Sequence, residues 1–271
     1  MAESQAFSSW WEWHFHSDVI LGVLLLESIY LLGVGPVRKR MGWAAEVEIR
    51  NVILFSTGVL VLFIALTSPI HHLGDNFLFS AHMVQHLLLI LVTPPLLLLG
   101  TPGWLLAPMI RIRLVRTGLR FMTQPIIAFC LFTFVLSLWH LPALYDLTLR
   151  NHTAHIAEHL LFTATSVIMW WPVLSPVPEV PRANYPLQMV YLFFLSLPPG
   201  FIGAAITFSQ GTLYTWYDTV PRLWGLSVVA DQQIGGLIMK IPGALAFLAT
   251  MVVVFFTWFS HDSRHESEID K

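Results

Sequence analysis

The sequence predicts an all-α, polytopic membrane protein: a single transmembrane domain over residues 1–271, built as a bundle of about seven helices, N-terminus outside and C-terminus inside. Three observations predict it. Of 271 residues, 56% are apolar and 11% charged, far below the roughly 25% charged share of an ordinary soluble domain, and mean hydropathy is +0.68. Apolar runs long enough to cross a hydrocarbon core of roughly 30 Å recur along the whole chain. Lys and Arg fall unevenly on alternate connecting segments, as expected when positive residues are retained on the cytoplasmic face.

The first run, at about 17–35, follows a segment, MAESQAFSSWWEWHFHSD, with no basic region and no small-residue cleavage site, so it is expected to insert and stay. Asp18 reads as its N-cap. Gly35-Pro36 ends it. A second run at about 50–68 stops at Ser68-Pro69, and a third at about 77–99 stops at Gly100-Thr101-Pro102-Gly103. The fourth, about 125–141, closes on Leu141-Pro142; the fifth, about 153–173, runs into the proline-rich Pro172 to Pro186 stretch. The sixth and seventh are expected at about 186–207 and 236–259, separated by a segment that breaks at Gly211. Trp10, Trp11, Trp13, Trp139, Trp170 and Trp171 fall near expected helix ends, where an interfacial aromatic belt accounts for them.

With the N-terminus outside, the inner segments hold Arg38, Lys39, Arg40, Arg50, Arg111, Arg113, Arg116, Arg120, Arg182, Arg264 and Lys271, and the outer ones hold only Arg150, Arg222 and Lys240. That asymmetry sets the orientation expected here, in a bacterial-type inner membrane. No basic run resembles a nucleic-acid patch, so no nucleic-acid partner is expected. Cys130 is the one cysteine, which excludes an internal disulfide or a CxxC relay and leaves soft-metal chemistry to His and Met.

This topology sorts the histidines. Of 12, all but His261 and His265 fall outside or in the outer leaflet: His14 and His16 before the first helix, His71 and His72 before the third, His82 and His86 in it, His140 at the end of the fourth, and His152, His155 and His159 at the start of the fifth. His82-Met83-Val84-Gln85-His86 puts two imidazoles at i and i+4 on one helix face, and His155-Ile156-Ala157-Glu158-His159 repeats the spacing, with His152 extending that face. Two such pairs converging from two helix ends can clamp one or two metal ions. A lone HxxxH more often caps or hydrogen-bonds in the interfacial zone; two pairs and His140 on one side favour a metal, because polar groups at membrane depth are costly.

Glu158 and Asp231, with Gln232 and Gln233 beside the latter, complete the polar residues of that layer. Asp231 serves equally well as an N-cap of the seventh helix or as a group orienting a ligand histidine. Lys240 is expected to snorkel or to pair with Asp231 or Glu158. Met83 and Met239 are further ligand candidates. Imidazole with thioether suits copper, and imidazole with carboxylate suits zinc almost as well. A zinc ion would make an intramembrane hydrolase conceivable, with Glu158 or Asp231 as base; a b-type haem carrier is disfavoured by four-residue spacing on a single helix.

Several motifs in fixed order carry a family likeness: Ser68-Pro-Ile-His-His-Leu-Gly-Asp through His82-Met-Val-Gln-His86, Pro94-Pro95 through Pro102, Trp139-His-Leu-Pro-Ala-Leu-Tyr-Asp146, His155xxxHis159 with Trp170-Trp171-Pro172, and Asp231-Gln-Gln-Ile-Gly-Gly236. Across nearly its whole length the chain resembles the CtaG family of caa3-type cytochrome c oxidase assembly factors, distinct from the single-span copper chaperone of the same name. The resemblance implies a non-enzymatic factor for maturation of a haem-copper oxidase through copper handling. Its partners would be oxidase subunits or other assembly and copper-donor proteins. It carries over onto His82, His86, His140, His155, His159 and Asp231 with Gln232. The expected metal set is His82, His86, His140, His152, His155, His159 and Asp231, facing outward.

Overall fold

The computed structural model describes residues 11–13 and 15–269, with side chains to residue 262. His14, Trp10 and Lys271, and the side chains of Arg264 and His265, lie outside the described residues. The regular secondary structure of the described residues is all helical, with no strand among them. In lipid this is the economical solution, because each helix satisfies its own backbone hydrogen bonds.

The first helix, α1 (Ser17–Leu32), continues through a π-turn at Gly33–Val37 into the short α2 (Arg38–Met41). The kink has a local cause: Pro36 lacks an N–H, and Gly35 leaves helical geometry at φ −97°, ψ −106°. Helix α3 (Ile49–Thr67) leads into α4 (Pro69–Asn76), and α5 (Phe79–Leu87) passes through a second π-turn, Leu88–Val92, into α6 (Thr93–Gly100). Pro94 and Pro95 remove the donors that would have continued a regular ladder across that turn. The indole of Trp170 donates to the freed Ile90 carbonyl at 2.8 Å.

Helices α7 (Gly103–Ile110) and α8 (Arg113–Met122) precede α9 (Pro125–Trp139) and α10 (Pro142–Arg150). Then come α11 (His152–Leu174), α12 (Tyr185–Thr207) and α13 (Val228–Ile269), the last two joined by a loop containing a 3-10 turn at Thr215–Asp218. Among the described residues, 5 helical stretches are long and apolar enough to cross a membrane: Ser17–Met41, Ile49–Asn76, Phe79–Gly100, Tyr185–Thr207 and Val228–Asp262. The pair α8 and α9, bent by 72°, makes up to 6 if it counts as one span.

Two of the seven expected spans differ in form. α9 has 15 residues, or roughly 22 Å at 1.5 Å per residue, and its apolar length is completed only through the bend to α8. α11 has 23 residues, but His152, His155, Glu158 and His159 lower its hydropathy. The stretch expected to be a loop before the fourth span is instead α8, an amphipathic helix with no buried residue and three arginines, Arg113, Arg116 and Arg120.

The main core gathers α5, α9, α11, α12 and α13 around Phe79, Phe132, Phe162, Leu192 and Phe247. α12 and α13 approach closely through glycines: a Cβ on Gly236 would lie 2.6 Å from the Gly203 carbonyl and 2.4 Å from Thr207 Oγ1. A smaller core joins α1 to α3, where Tyr30 stacks on Phe55 with ring centroids 3.7 Å apart.

Candidate metal centre

Two helix starts set the site. Asn151 caps α11, its side-chain oxygen accepting from Ala154 N at 3.0 Å. The next turn then presents His155, and after it Glu158 and His159, on the face turned to the core. α5 has no cap from its own preceding residue, Leu78. The carboxylate of Asp231, on α13, supplies one: it accepts from Phe79 N at 2.8 Å, Ser80 N at 3.1 Å and the Ser80 hydroxyl. Arg222 Nη2 lies 3.4 Å from the same carboxylate. Asp231 is therefore in the first turn of α13 and caps another helix; it fixes the start of the helix that carries His82 and His86. Its cation is Arg222, and Lys240 is exposed.

α5 and α11 place the HxxxH pairs face to face. Ring centroids are 4.3 Å apart within each pair, His82–His86 and His155–His159, and 5.8–6.1 Å apart across them for His82–His155, His86–His159 and His82–His159. Glu158 enters between them, with Oε1 3.6 Å from His86 Nε2 and 4.0 Å from His82 Nε2. His82, His86, Glu158 and His159 each offer a ligand atom within 4.8 Å of the others.

The polar atoms of this group are in an unusual state. His82 and Glu158 are 0% exposed, yet both ring nitrogens of His82, both of His86 and both carboxylate oxygens of Glu158 lack a hydrogen bond. Buried polar atoms are normally paired, and leaving one bare costs about 1–3 kcal/mol, more for a charge. A cation bound among them would relieve that cost at once. Three imidazoles and a carboxylate suit a divalent ion of the copper or zinc type. Cys130 is exposed and is not among them.

The other expected residues separate into distinct places. His155 belongs to a neighbouring group with His71 and Asp75. Asp75 Oδ2 lies 3.4 Å from His71 Nε2 and 3.5 Å from His155 Nδ1, and its Oδ1 lies 3.6 Å from His82 Nδ1. His152 stands with His16 and Asp18, its Nε2 3.6 Å from Asp18 Oδ2. The N-cap of α1 is His16; Asp18 lies in the first turn. His140 is the C-cap of α9, with Nδ1 2.7 Å from the Leu136 carbonyl and Nε2 buried without a partner. Met83 and Met239 line, with His86 and His140, a cavity of about 30 Å³ beneath the cluster. His72 is buried on α4, with Nδ1 3.1 Å from the Asn76 amide nitrogen.

Asp75 was the residue that sequence reasoning missed, although His71 and Asp75 repeat the four-residue helical spacing of the other pairs. α4 holds them because Ser68 accepts from Ile70 N and Pro69 starts the helix. Gly74 allows the approach to α5: a Cβ there would meet the His82 backbone at 3.0 Å. Tyrosines close this end. Tyr217 donates to the Gly74 carbonyl at 2.7 Å, and its hydroxyl lies 3.0 Å from that of Tyr145, whose ring is 5.3 Å from His82. Burial pushes the pKa of both hydroxyls well above the ordinary phenol value, so they stay protonated.

Comparison with known proteins agrees with the motif order. The chain is 26% identical over 276 residues to uncharacterized proteins of Mycobacterium bovis and Mycobacterium tuberculosis, covering 96% of this chain and 41% of theirs. An uncharacterized protein of Mycobacterium leprae is 25% identical over 270 residues, covering 93% of this chain and 40% of that one. The chain thus spans about two fifths of the length of these relatives. No solved structure matches. The family model described as cytochrome c oxidase caa3 assembly factor matches residues 28–261, taking in all four residues of the buried His and Glu group, and the chain belongs to that family.

Proposed function

We propose that the protein binds copper as cargo at His82, His86, Glu158 and His159 and helps to place it in a haem-copper oxidase, without turning over a substrate. The observation that carries this reading is the buried, unpartnered state of the ring nitrogens of His82 and His86 and the carboxylate oxygens of Glu158, with His159 offering a fourth ligand atom beside them. Family membership supplies the destination. Neutral imidazoles bind copper well at neutral pH. Glu158 sits among the ligand atoms and not behind them, which suits a ligand better than the free base a zinc hydrolase needs.

In this reading the chain crosses the inner membrane seven times with its N-terminus outside, α11 and the bent α8–α9 pair completing the count. The distribution of Lys and Arg supports that orientation. It puts the histidine end of the bundle on the outer side, shielded from the cytoplasm and close to oxidase subunits and copper donors.

Elemental analysis of the purified full chain tests the metal, and a deletion strain tests the role. Wild-type protein is expected to carry copper, and the His82→Ala/His86→Ala variant to lose most of it while keeping its fold. The deletion strain is expected to make oxidase polypeptide with haem but little copper, with partial rescue by added copper. Fully metallated oxidase in that strain would contradict the role, and zinc in place of copper would contradict the cargo.

A further inference from the structure

The ligating side chains form three groups in series. A mouth group, His16, Asp18 and His152, lies at the exposed start of α1 and α11; a middle group, His71, Asp75 and His155, follows; the inner group is the candidate centre. Exposure falls along the series. The side chains of His152 and Asp18 are 61% and 45% exposed, that of Asp75 is 22% and that of Glu158 is 0%.

The rings make short steps within each group and from one group to the next. Centroids are 5.4 Å apart for His16–His152, 5.7 Å for His16–His71, 5.5 Å for His71–His155 and 4.3 Å for His155–His159. A cavity of about 430 Å³ is lined by every member of the mouth and middle groups and by His159 of the inner one. At about 30 Å³ per water, it has room for a partly hydrated ion. Its remaining wall is largely apolar, with Leu26, Leu62, Leu66 and Leu160, so ligands are concentrated along one track.

Charge and hydrogen bonding favour stepwise passage. Each group holds a single carboxylate, so an ion meets a compensating charge at every stage and is never left bare among apolar walls, where an uncompensated charge is strongly disfavoured. Neighbouring groups also share residues. Asp75 faces His71 and His155 with one oxygen and His82 with the other. The Gln85 amide donates to His71 Nδ1 at 3.1 Å and to His159 Nε2 at 3.3 Å, tying the middle group to the inner one.

We propose that the three groups are an entry relay, in which a metal cation is taken up by the mouth group and passed by ligand exchange through the middle group to the buried centre. This rests on the reading that the inner group holds a metal ion. Oxidation state does not change along the way: each step breaks metal–ligand bonds to one group as it makes them to the next. The mouth and middle groups therefore set how fast the centre fills and empties, and the inner group sets how much it holds.

The test is chelator-quenched uptake of Cu²⁺ by the full chain in lipid nanodiscs, comparing wild type with Asp18→Asn/His152→Ala at the mouth and His71→Ala in the middle. Both variants are expected to fill and empty more slowly by about tenfold or more, the low end of what a charged funnel adds to an on-rate. The mouth variant, altered only at exposed side chains, is expected to reach the wild-type copper content and to keep its melting temperature. Uptake at the wild-type rate in both variants overturns the relay, as does a lower final content in the mouth variant. Wild type that takes up no copper at all overturns the inner site itself, which separates the two claims.

Discussion

Asp231 and Glu158 are both 0% exposed near the same end of the bundle, and they differ in everything else. Asp231 is saturated: two backbone N–H groups, a hydroxyl and an arginine converge on it. Glu158 has neither oxygen hydrogen-bonded and is flanked by His82 and His86. Thr148, the nearby hydroxyl, donates instead to the Tyr145 carbonyl at 2.7 Å. A saturated buried carboxylate holds protein to protein; a bare one beside imidazoles is set up to hold something else. On the proposed function, the contrast separates the residue that builds the site from the residue that binds in it.

The contrast breaks most easily through stability and affinity measured side by side. Asp231→Ala leaves the start of α5 uncapped and Arg222 without its carboxylate, and is expected to cost about 3 kcal/mol, the low end of the range for a buried pair because Arg222 is partly exposed. Thermal unfolding of the metal-free protein in detergent reads it. Glu158→Gln is expected to do the reverse: metal-free stability unchanged or raised, and copper affinity weakened at least about a hundredfold, equivalent to roughly 2.8 kcal/mol. If Glu158→Gln unfolds the metal-free protein while Asp231→Ala does not, the assignment of roles is inverted.

Smaller effects sharpen the same division. Gly236→Ala forces a Cβ against the Gly203 carbonyl and Thr207 and is expected to cost about 1–3 kcal/mol through overpacking of α12 on α13, again in the metal-free protein. Tyr217→Phe removes the bond to the Gly74 carbonyl and the one shared with Tyr145, and is expected to cost about 1–2 kcal/mol. Both belong to the framework, so once folded each variant should bind copper with wild-type affinity in a titration. A large affinity loss in Tyr217→Phe would place the tyrosines in the site.

Much of this was legible in the sequence, for identifiable reasons. Apolar runs marked the helices because lipid imposes length and composition directly, and proline and glycine marked their ends. The facing HxxxH pairs were legible because a four-residue spacing reports one helix face. α8 was not, since an amphipathic helix rich in arginine resembles a polar loop when only apolar length is read. α11 was legible as a long helix of 23 residues, although the polar residues it carries lower its hydropathy.

Distances between helices were the part the sequence concealed. His71 and Asp75 share a helical face by spacing alone, but only the approach of α4 to α5 at Gly74 brings them beside His82 and His155. Asp231 reads equally as a cap for its own helix or as a group orienting a ligand histidine; it caps a helix 151 positions away in sequence, through Ser80. Asp18 was read as a cap as well, and stands instead beside His152. In each case the partner lay on another helix, which periodicity cannot supply.

The most direct test of the central claim is copper-edge X-ray absorption on the loaded full chain, wild type against His82→Ala/His86→Ala. The account expects a wild-type first shell of nitrogen and oxygen alone, with the outer scattering of the three imidazoles of His82, His86 and His159, and loss of that spectrum with most of the copper in the variant. A sulfur shell, or the same imidazole spectrum in the variant, would contradict it.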